Sequence, residues 1–201
     1  MNDMPENKTN DNLNTSIEGH ILIRSYDNLE DRVGEKIELD KRNKAHKENM
    51  SIALARSWAG LITGHAYSMH FGTGGATVDA LENIVYSEPN TTGAADLNVP
   101  VYFEVVDKGR GAPSDNAVIV RHVSGTTFTD VEFKVVLDKN EPAGQAAFDN
   151  ISTTLSGEFV FDELGIKTDD NLLLTHATFS PIEKSSNRIF EIIYTVRIKI
   201  V

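Results

Sequence analysis

The stretch TFTDVEFKVVLD, residues 127–138, alternates between apolar and polar side chains. In an extended chain, one face would carry the core-forming residues Thr129, Val131, Phe133, Val135 and Leu137. The opposite face would carry Asp130, Glu132, Lys134 and Val136. Because successive side chains of a strand point to opposite sides, this period of two predicts an antiparallel strand with one buried face.

The same alternation recurs in RIFEIIYTVRIKI, residues 188–200, at the end of the chain. Further strands are predicted at residues 17–24, 36–41, 66–71, 101–107, 117–123, 158–166 and 171–179. About eight or nine short strands that do not alternate with helices are typical of an antiparallel β-sandwich. We therefore predict a mainly β fold of this kind.

One α-helix is predicted near residues 48–60, within ENMSIALARSWAGLI. Met50, Leu54 and Trp58 recur there at a spacing of four, which indicates one apolar face. We expect this face, including Trp58, to cover an end or edge of the sheet. Gly60 suits the left-handed position that commonly follows a helix.

Two segments stand apart from the strand pattern. Residues 1–16 are polar and rich in Asn, which predicts an extended N-terminal arm. Residues 17–201 are predicted to form a single sandwich domain. Within that domain, residues 72–100 are rich in turn formers and are expected to form a long loop. The apolar residues of the arm and loop are the expected contacts with partner subunits: Met4, Leu13, Val78, Leu81, Ile84 and Tyr86. The alternative is that they pack back onto their own domain.

Composition excludes several classes of function. The 201 residues carry a formal net charge of −11, which disfavours a nucleic-acid partner and an anionic membrane surface. No cysteine is present, so disulfides and thiolate metal sites are excluded. No apolar run is long enough to span a membrane, and the first residues lack the apolar core of a secretion signal.

The glycines of HFGTGGATVD, residues 70–79, raise the possibility of a phosphate-binding loop. A P-loop needs a Lys directly after its last Gly, and a dinucleotide fingerprint needs a following helix. Neither is present here. We therefore expect Gly72, Gly74 and Gly75 to supply positive φ angles for a tight turn, and we expect no bound cofactor.

No catalytic or metal-binding pattern is evident either. The six histidines show neither the His-x-His nor the His-x-x-x-His spacing, so no metal site is expected. In FDELG, residues 161–165, Asp162 and Glu163 are neighbours that would point apart on a strand. A polar strand end or turn explains them better than general acid–base catalysis, and Gly-x-Ser-x-Gly is absent. We expect a protein without enzymatic activity.

Three segments together resemble a known family. They are DKRNKAHKENMSIALARSWAG (40–60), HAYSMHFGTGGATVD (65–79) and FDELGIKTDDNLLLTHATFSPIEKSSNRIFEIIYTVRI (161–198). Their order resembles that of virion structural proteins of tailed bacteriophages, in particular myophages and cyanophages. A similar ending occurs at the particle-attaching part of some tail fibres. The chain departs from the pattern at Ser180, at Glu183 and in its polar arm.

The resemblance implies a function without catalysis. The chain would be a virion component of the tail, baseplate or neck, made in the bacterial cytoplasm. Its partners would be other virion proteins and copies of itself. A capsid decoration protein on the head exterior is the first alternative. A carbohydrate-binding module is the second, but it needs exposed aromatics, and we expect the one Trp to be buried.

Overall fold

The structure is a computed structural model that describes residues 14–139, 141–142 and 158–200. These residues form one α-helix, α1 (Lys47–Trp58), and eleven strands. The strands are β1 (Thr15–Tyr26), β2 (Lys36–Ala45), β3 (Ala66–Gly72), β4 (Ala76–Val78), β5 (Ile84–Tyr86), β6 (Pro100–Val105), β7 (Ala117–His122), β8 (Phe128–Leu137), β9 (Glu158–Thr168), β10 (Leu173–Ser185) and β11 (Ile189–Ile200).

Nine of the strands form one antiparallel sheet in the order β6-β3-β9-β10-β2-β1-β11-β8-β7. The sheet curls, so that side chains from its two halves meet in one core. Ile21, Phe133 and Tyr194 come from one half, and Met69 and Leu164 come from the other. The predicted mainly β, antiparallel, sandwich-like fold is confirmed.

Strand β2 joins the two halves of the sheet. Most of β2 pairs with β1, and its last residues, Lys44 and Ala45, pair with β10. A second link is the fully buried side chain of Asn116, which donates to the Val105 carbonyl (3.0 Å) and accepts from the Val136 amide (2.9 Å). Asn116 therefore ties β6 in one half to β8 in the other.

The strand pattern of the sequence is realised in β8 and β11. Phe133 lies opposite Tyr194, and Val135 lies opposite Ile192, with all four side chains buried. The other predicted strands are also present, although β10 runs on to Ser185. The hairpin β4–β5 was missed within the predicted loop at 72–100, because strands of three residues are too short to show a period.

The helix was predicted correctly, but not the position of its Trp. His46 caps the N-terminus by accepting the amide of Asn49 through its side chain, and Gly60 has the expected positive φ of 71°. Met50 is buried, whereas Trp58 is 90% exposed, so the expectation that Trp58 is buried is wrong. Only the first turns of α1 pack on the sheet, and Trp58 is the last residue of the helix.

The predicted arm falls mostly on residues that the structure does not describe. Met4 and Leu13 lie outside the described residues. Thr15 and Ser16, which were assigned to the arm, pair with Ile200 and Lys199 of β11 and so belong to the sheet. Across the described ranges, no helix is long and apolar enough to cross a membrane.

Candidate functional site

The glycine turn between β3 and β4 binds carboxylates of its own chain. The amides of Gly75 and Ala76 donate to the two oxygens of Asp162 at 2.7 and 3.0 Å. The amide of Gly74 donates to Glu163 Oε1 at 3.2 Å. Successive backbone amides of this kind can bind an anion such as phosphate. Here the carboxylates of Asp162 and Glu163 accept these hydrogen bonds, so the donors are already used within the chain. We call the glycine turn together with these two carboxylates the clamp.

Glu163 is the centre of this clamp. Its oxygens also accept the amides of Asn98 (2.9 Å) and Val99 (2.7 Å), and Oε2 lies 3.0 Å from His176 Nε2. Nδ1 of His176 accepts the amide of Asn90 at 2.7 Å, which places the ring proton on Nε2 as a donor to Glu163. Both ring nitrogens of this buried His are therefore in use, and neither is free to act as a base.

The two carboxylates respond differently to burial. Burial raises the pKa of Asp162 above its usual range, although the amides of Gly75 and Ala76 oppose the shift. Burial would also raise the pKa of Glu163, but the hydrogen bond from His176 and two backbone amides outweigh it and hold the pKa below its usual range. Glu163 is thus the stably ionised anion of the clamp.

Two predictions about this region are wrong. Gly72, Gly74 and Gly75 are not among the glycines with positive φ. They are required for space, since a Cβ on Gly75 would lie 2.0 Å from the Asp162 carbonyl oxygen. The carboxylates were expected at a strand end and pointing apart, yet both are buried within β9 and reach the same turn. Nothing local in the sequence indicates this contact, which joins residues far apart in the chain.

The rest of the 72–100 segment lies on the same face of the sheet. Thr178 of β10 donates to the Ser87 carbonyl at 2.9 Å, and the buried Lys167 of β9 lies 2.5 Å from Asp96. Leu97 of this segment is itself buried. Sequence reasoning missed His176 and Lys167. Neither has a distinctive local signal, since His176 lies between Thr175 and Ala177 and Lys167 lies between Ile166 and Thr168.

The remaining histidines are dispersed over the fold. His20 pairs with Asp40 at 2.7 Å on the surface, and His70 lies 2.9 Å from the Ser68 hydroxyl and stacks on Phe103. Burial lowers the pKa of His70 to about 4. Among the residues that the structure places, no group of three or more His, Asp or Glu could hold a metal ion.

A second feature is an apolar groove between α1 and the inner face of β7, β8 and β11. Its volume is about 650 Å³. The walls include Ala53, Leu54, Val118, Val120, Val131 and Ile198. The inner face of this half of the sheet extends beyond α1, so Val120 remains 68% exposed. Aliphatic residues normally buried in a sandwich core here face an open space.

The groove lies next to a free sheet edge and an exposed apolar loop. Strand β7 is the last of the sheet and pairs, in the described ranges, only with β8. The residues between the groove-lining Ser57 and Gly64 include the exposed Trp58, Leu61 and Ile62. Exposed edges and contiguous apolar patches are features of surfaces that bind other proteins. In the sequence, the apolar run AVIVRHV (117–123) predicted a strand here, but it did not predict that this strand lies at a sheet edge.

The third feature is the hairpin β4–β5, which carries four of the six predicted contact residues: Val78, Leu81, Ile84 and Tyr86. All four are exposed, although Tyr86 also contacts its own domain. The hydroxyl of Tyr86 lies 2.6 Å from the Ser180 Oγ, and the Lys41 ammonium lies 5.5 Å from the Tyr86 ring centre. These contacts fix the base of the hairpin and leave its tip open. A partner role for these residues stays a prediction.

Comparison with known proteins adds no relative from which a role could be transferred. Neither the family models, nor the curated proteins, nor the solved structures give a match to this chain.

Proposed function

We propose that this chain is a non-enzymatic structural component of a tailed-bacteriophage virion, in the tail, baseplate or neck. It would assemble with other virion proteins and with copies of itself. The observation that carries the assembly role is the concentration of exposed apolar side chains on the hairpin and around the groove. The virion context is supported by the sequence resemblance of residues 40–60, 65–79 and 161–198.

The distribution of polar groups supports a structural role. Asp162, Glu163 and His176 would be the natural candidates for acid–base chemistry, but their hydrogen-bonding capacity is directed at the backbone and at one another. A catalytic acid or base needs an accessible atom within hydrogen-bond reach of a substrate. The groove offers the opposite chemistry, because its walls are mainly aliphatic. Aliphatic surfaces of this kind bind other apolar surfaces.

The exposure of Trp58 removes one argument against a carbohydrate-binding module. Its neighbours in the exposed loop are nevertheless Leu61 and Ile62, which cannot hydrogen-bond sugar hydroxyls. Apolar patches with an aromatic at their centre are frequent at protein–protein interfaces. The protein-binding role therefore accounts better for this surface.

The test is quantitative mass spectrometry of purified virions that carry this chain, separated into heads and tails. We expect the chain in the tail fraction, at a copy number that is a small multiple of the tail symmetry. Hundreds of copies with the heads would instead identify a capsid decoration protein. Absence from both fractions would overturn the structural role.

A further inference from the structure

We propose that copies of this chain associate head to tail, with the β4–β5 hairpin tip of one copy seated in the apolar groove of the next. This inference deepens the proposed function, on which it rests, by naming the two surfaces that meet. It makes the occupant of the groove a second copy of the same chain.

The two surfaces are separate, so one molecule can use both at once. The hairpin is fixed at its base by Asp162 of β9 and Ser180 of β10. The groove is lined by Ile166 and Thr175 of the same two strands, at different positions along them. Contact between two different patches on identical subunits is heterologous, and it repeats from one subunit to the next.

The shapes and the chemistry of the two surfaces match. The hairpin projects Val78 and Leu81, of which Leu81 is 81% exposed at the turn. The groove is concave, about 650 Å³ in volume, and has Val118, Val120 and Leu54 in its walls. Several aliphatic side chains fit within this volume. Burying both surfaces removes apolar area from water, which drives association.

The charges at the two surfaces are complementary. Glu82 lies next to Leu81 at the tip and is exposed, and within the described ranges its carboxylate makes no hydrogen bond or ion pair, while its amide donates to the Asp79 carbonyl. At the groove, Lys108 and His65 are exposed lining residues, whereas Asp107 is already paired with Arg110 at 3.5 Å. In a chain of net charge −11, most surface contacts between copies are repulsive. The exposed Lys108 at the groove rim, facing an acidic tip, selects this contact over the others.

Engineered cysteines test the contact directly, since the chain has none of its own. Leu81→Cys and Val120→Cys both lie at exposed positions, so neither should disturb the fold. When the two variants are mixed and oxidised, we expect a mixed disulfide dimer. A single chain with both substitutions should give a ladder of dimers, trimers and larger species. A matched pair, Leu81→Cys with Ile37→Cys, should give at least tenfold less product, because Ile37 is exposed but lies outside both surfaces.

Charge reversal provides a second readout. Glu82→Lys alone and Lys108→Glu alone should each lower the yield of the mixed disulfide. Mixing Leu81→Cys/Glu82→Lys with Val120→Cys/Lys108→Glu should restore it, because the attraction is re-formed with opposite signs. No recovery would contradict the assigned pairing of charges.

Three results would overturn the inference: dimers of Leu81→Cys alone, dimers of Val120→Cys alone, or no product above the Ile37 control. Dimers of Val120→Cys would indicate symmetric pairing of two β7 edges instead. These failures are distinct from failure of the proposed function. A chain found in virion tails but not trapped head to tail would retain the function and lose only this contact. A chain that is trapped head to tail but is absent from virions would retain this contact and lose the proposed function.

Discussion

The clamp around Glu163 and the groove beside β7 lie on the same curled sheet, but they differ in whether their side chains have partners within the chain. At the clamp, polar side chains are buried, and each finds its partner within the chain. At the groove, apolar side chains of the same sheet are left open. A buried polar group without a partner costs several kcal/mol, so it must be satisfied in the isolated chain. An open apolar surface costs free energy only in proportion to its area, and it can remain open until a partner covers it.

The strongest test of this contrast is Glu163→Ala. It removes the acceptor for three partly buried backbone amides and for the buried His176, and leaves these donors unpaired. We expect the free energy of unfolding to fall by about 3–5 kcal/mol, because several donors lose a charged acceptor at once. Urea denaturation measures it. Glu88→Ala is the matched control, because Glu88 belongs to the same loop and is exposed, and it should change little. Equal effects of the two substitutions would show that the clamp does not hold the loop.

The pH dependence of stability should report on His70. Its pKa is lowered to about 4, so the folded state takes up the proton later than the unfolded chain as the pH falls. The stability is therefore complete above the unfolded pKa of roughly 6.5 and declines between there and pH 4, by about 3 kcal/mol at most. Burial is the main cause of this lowered pKa; nearby Lys167 adds to it and Asp96 opposes it. Urea denaturation across this range checks the slope. His70→Gln should flatten it, and an unchanged slope in the variant would assign the decline to other groups.

A smaller effect is expected from Gly75→Ala. The added Cβ would lie 2.0 Å from the backbone oxygen of Asp162, which cannot move without shifting β9. We expect a loss of about 1–3 kcal/mol, typical of overpacking. Gly109→Ala is the control, because the nearest atom to its Cβ would be a side-chain oxygen at 3.2 Å. Thermal unfolding of both variants provides the measurement. A loss of stability no larger than that of Gly109→Ala would mean that the turn can shift to accommodate the added Cβ.

The smallest effect on the fold should come from the hairpin tip. Leu81→Ser removes an exposed leucine, so the stability of the isolated chain should stay within about 0.5 kcal/mol. Leu164→Ala, in the core, should instead cost about 2–5 kcal/mol. Sedimentation velocity of Leu81→Ser should show weaker self-association at equal stability. A large loss of stability on replacing Leu81 would show that the hairpin tip, like the core, contributes to the stability of the isolated chain.

Strand positions could be predicted because their signal is local. The alternation in residues 127–138 and 188–200 reflects one buried face, and both segments are strands with the expected core residues. The helix signal at Met50 was equally local. The two short strands of the hairpin escaped prediction because three residues do not establish a period.

The role of the glycines could not be predicted in the same way. The sequence contains both the turn at Gly74–Gly75 and the carboxylates at Asp162–Glu163, but nothing in it shows that they meet. The burial of Trp58 was misjudged for a related reason, since periodicity identifies a helix face but not how far the sheet beneath it extends.

By itself, the sequence determined the class of the fold, the helix and most strand positions, because these follow from side-chain periods over a few neighbouring residues. It also determined that the surface is acidic and the chain free of thiols. The tertiary structure alone decided which polar groups satisfy one another and which apolar faces stay open. Both depend on contacts between residues far apart in the chain, such as Val99 with Glu163. The free energy of such contacts is set by where the folded sheet brings the residues together.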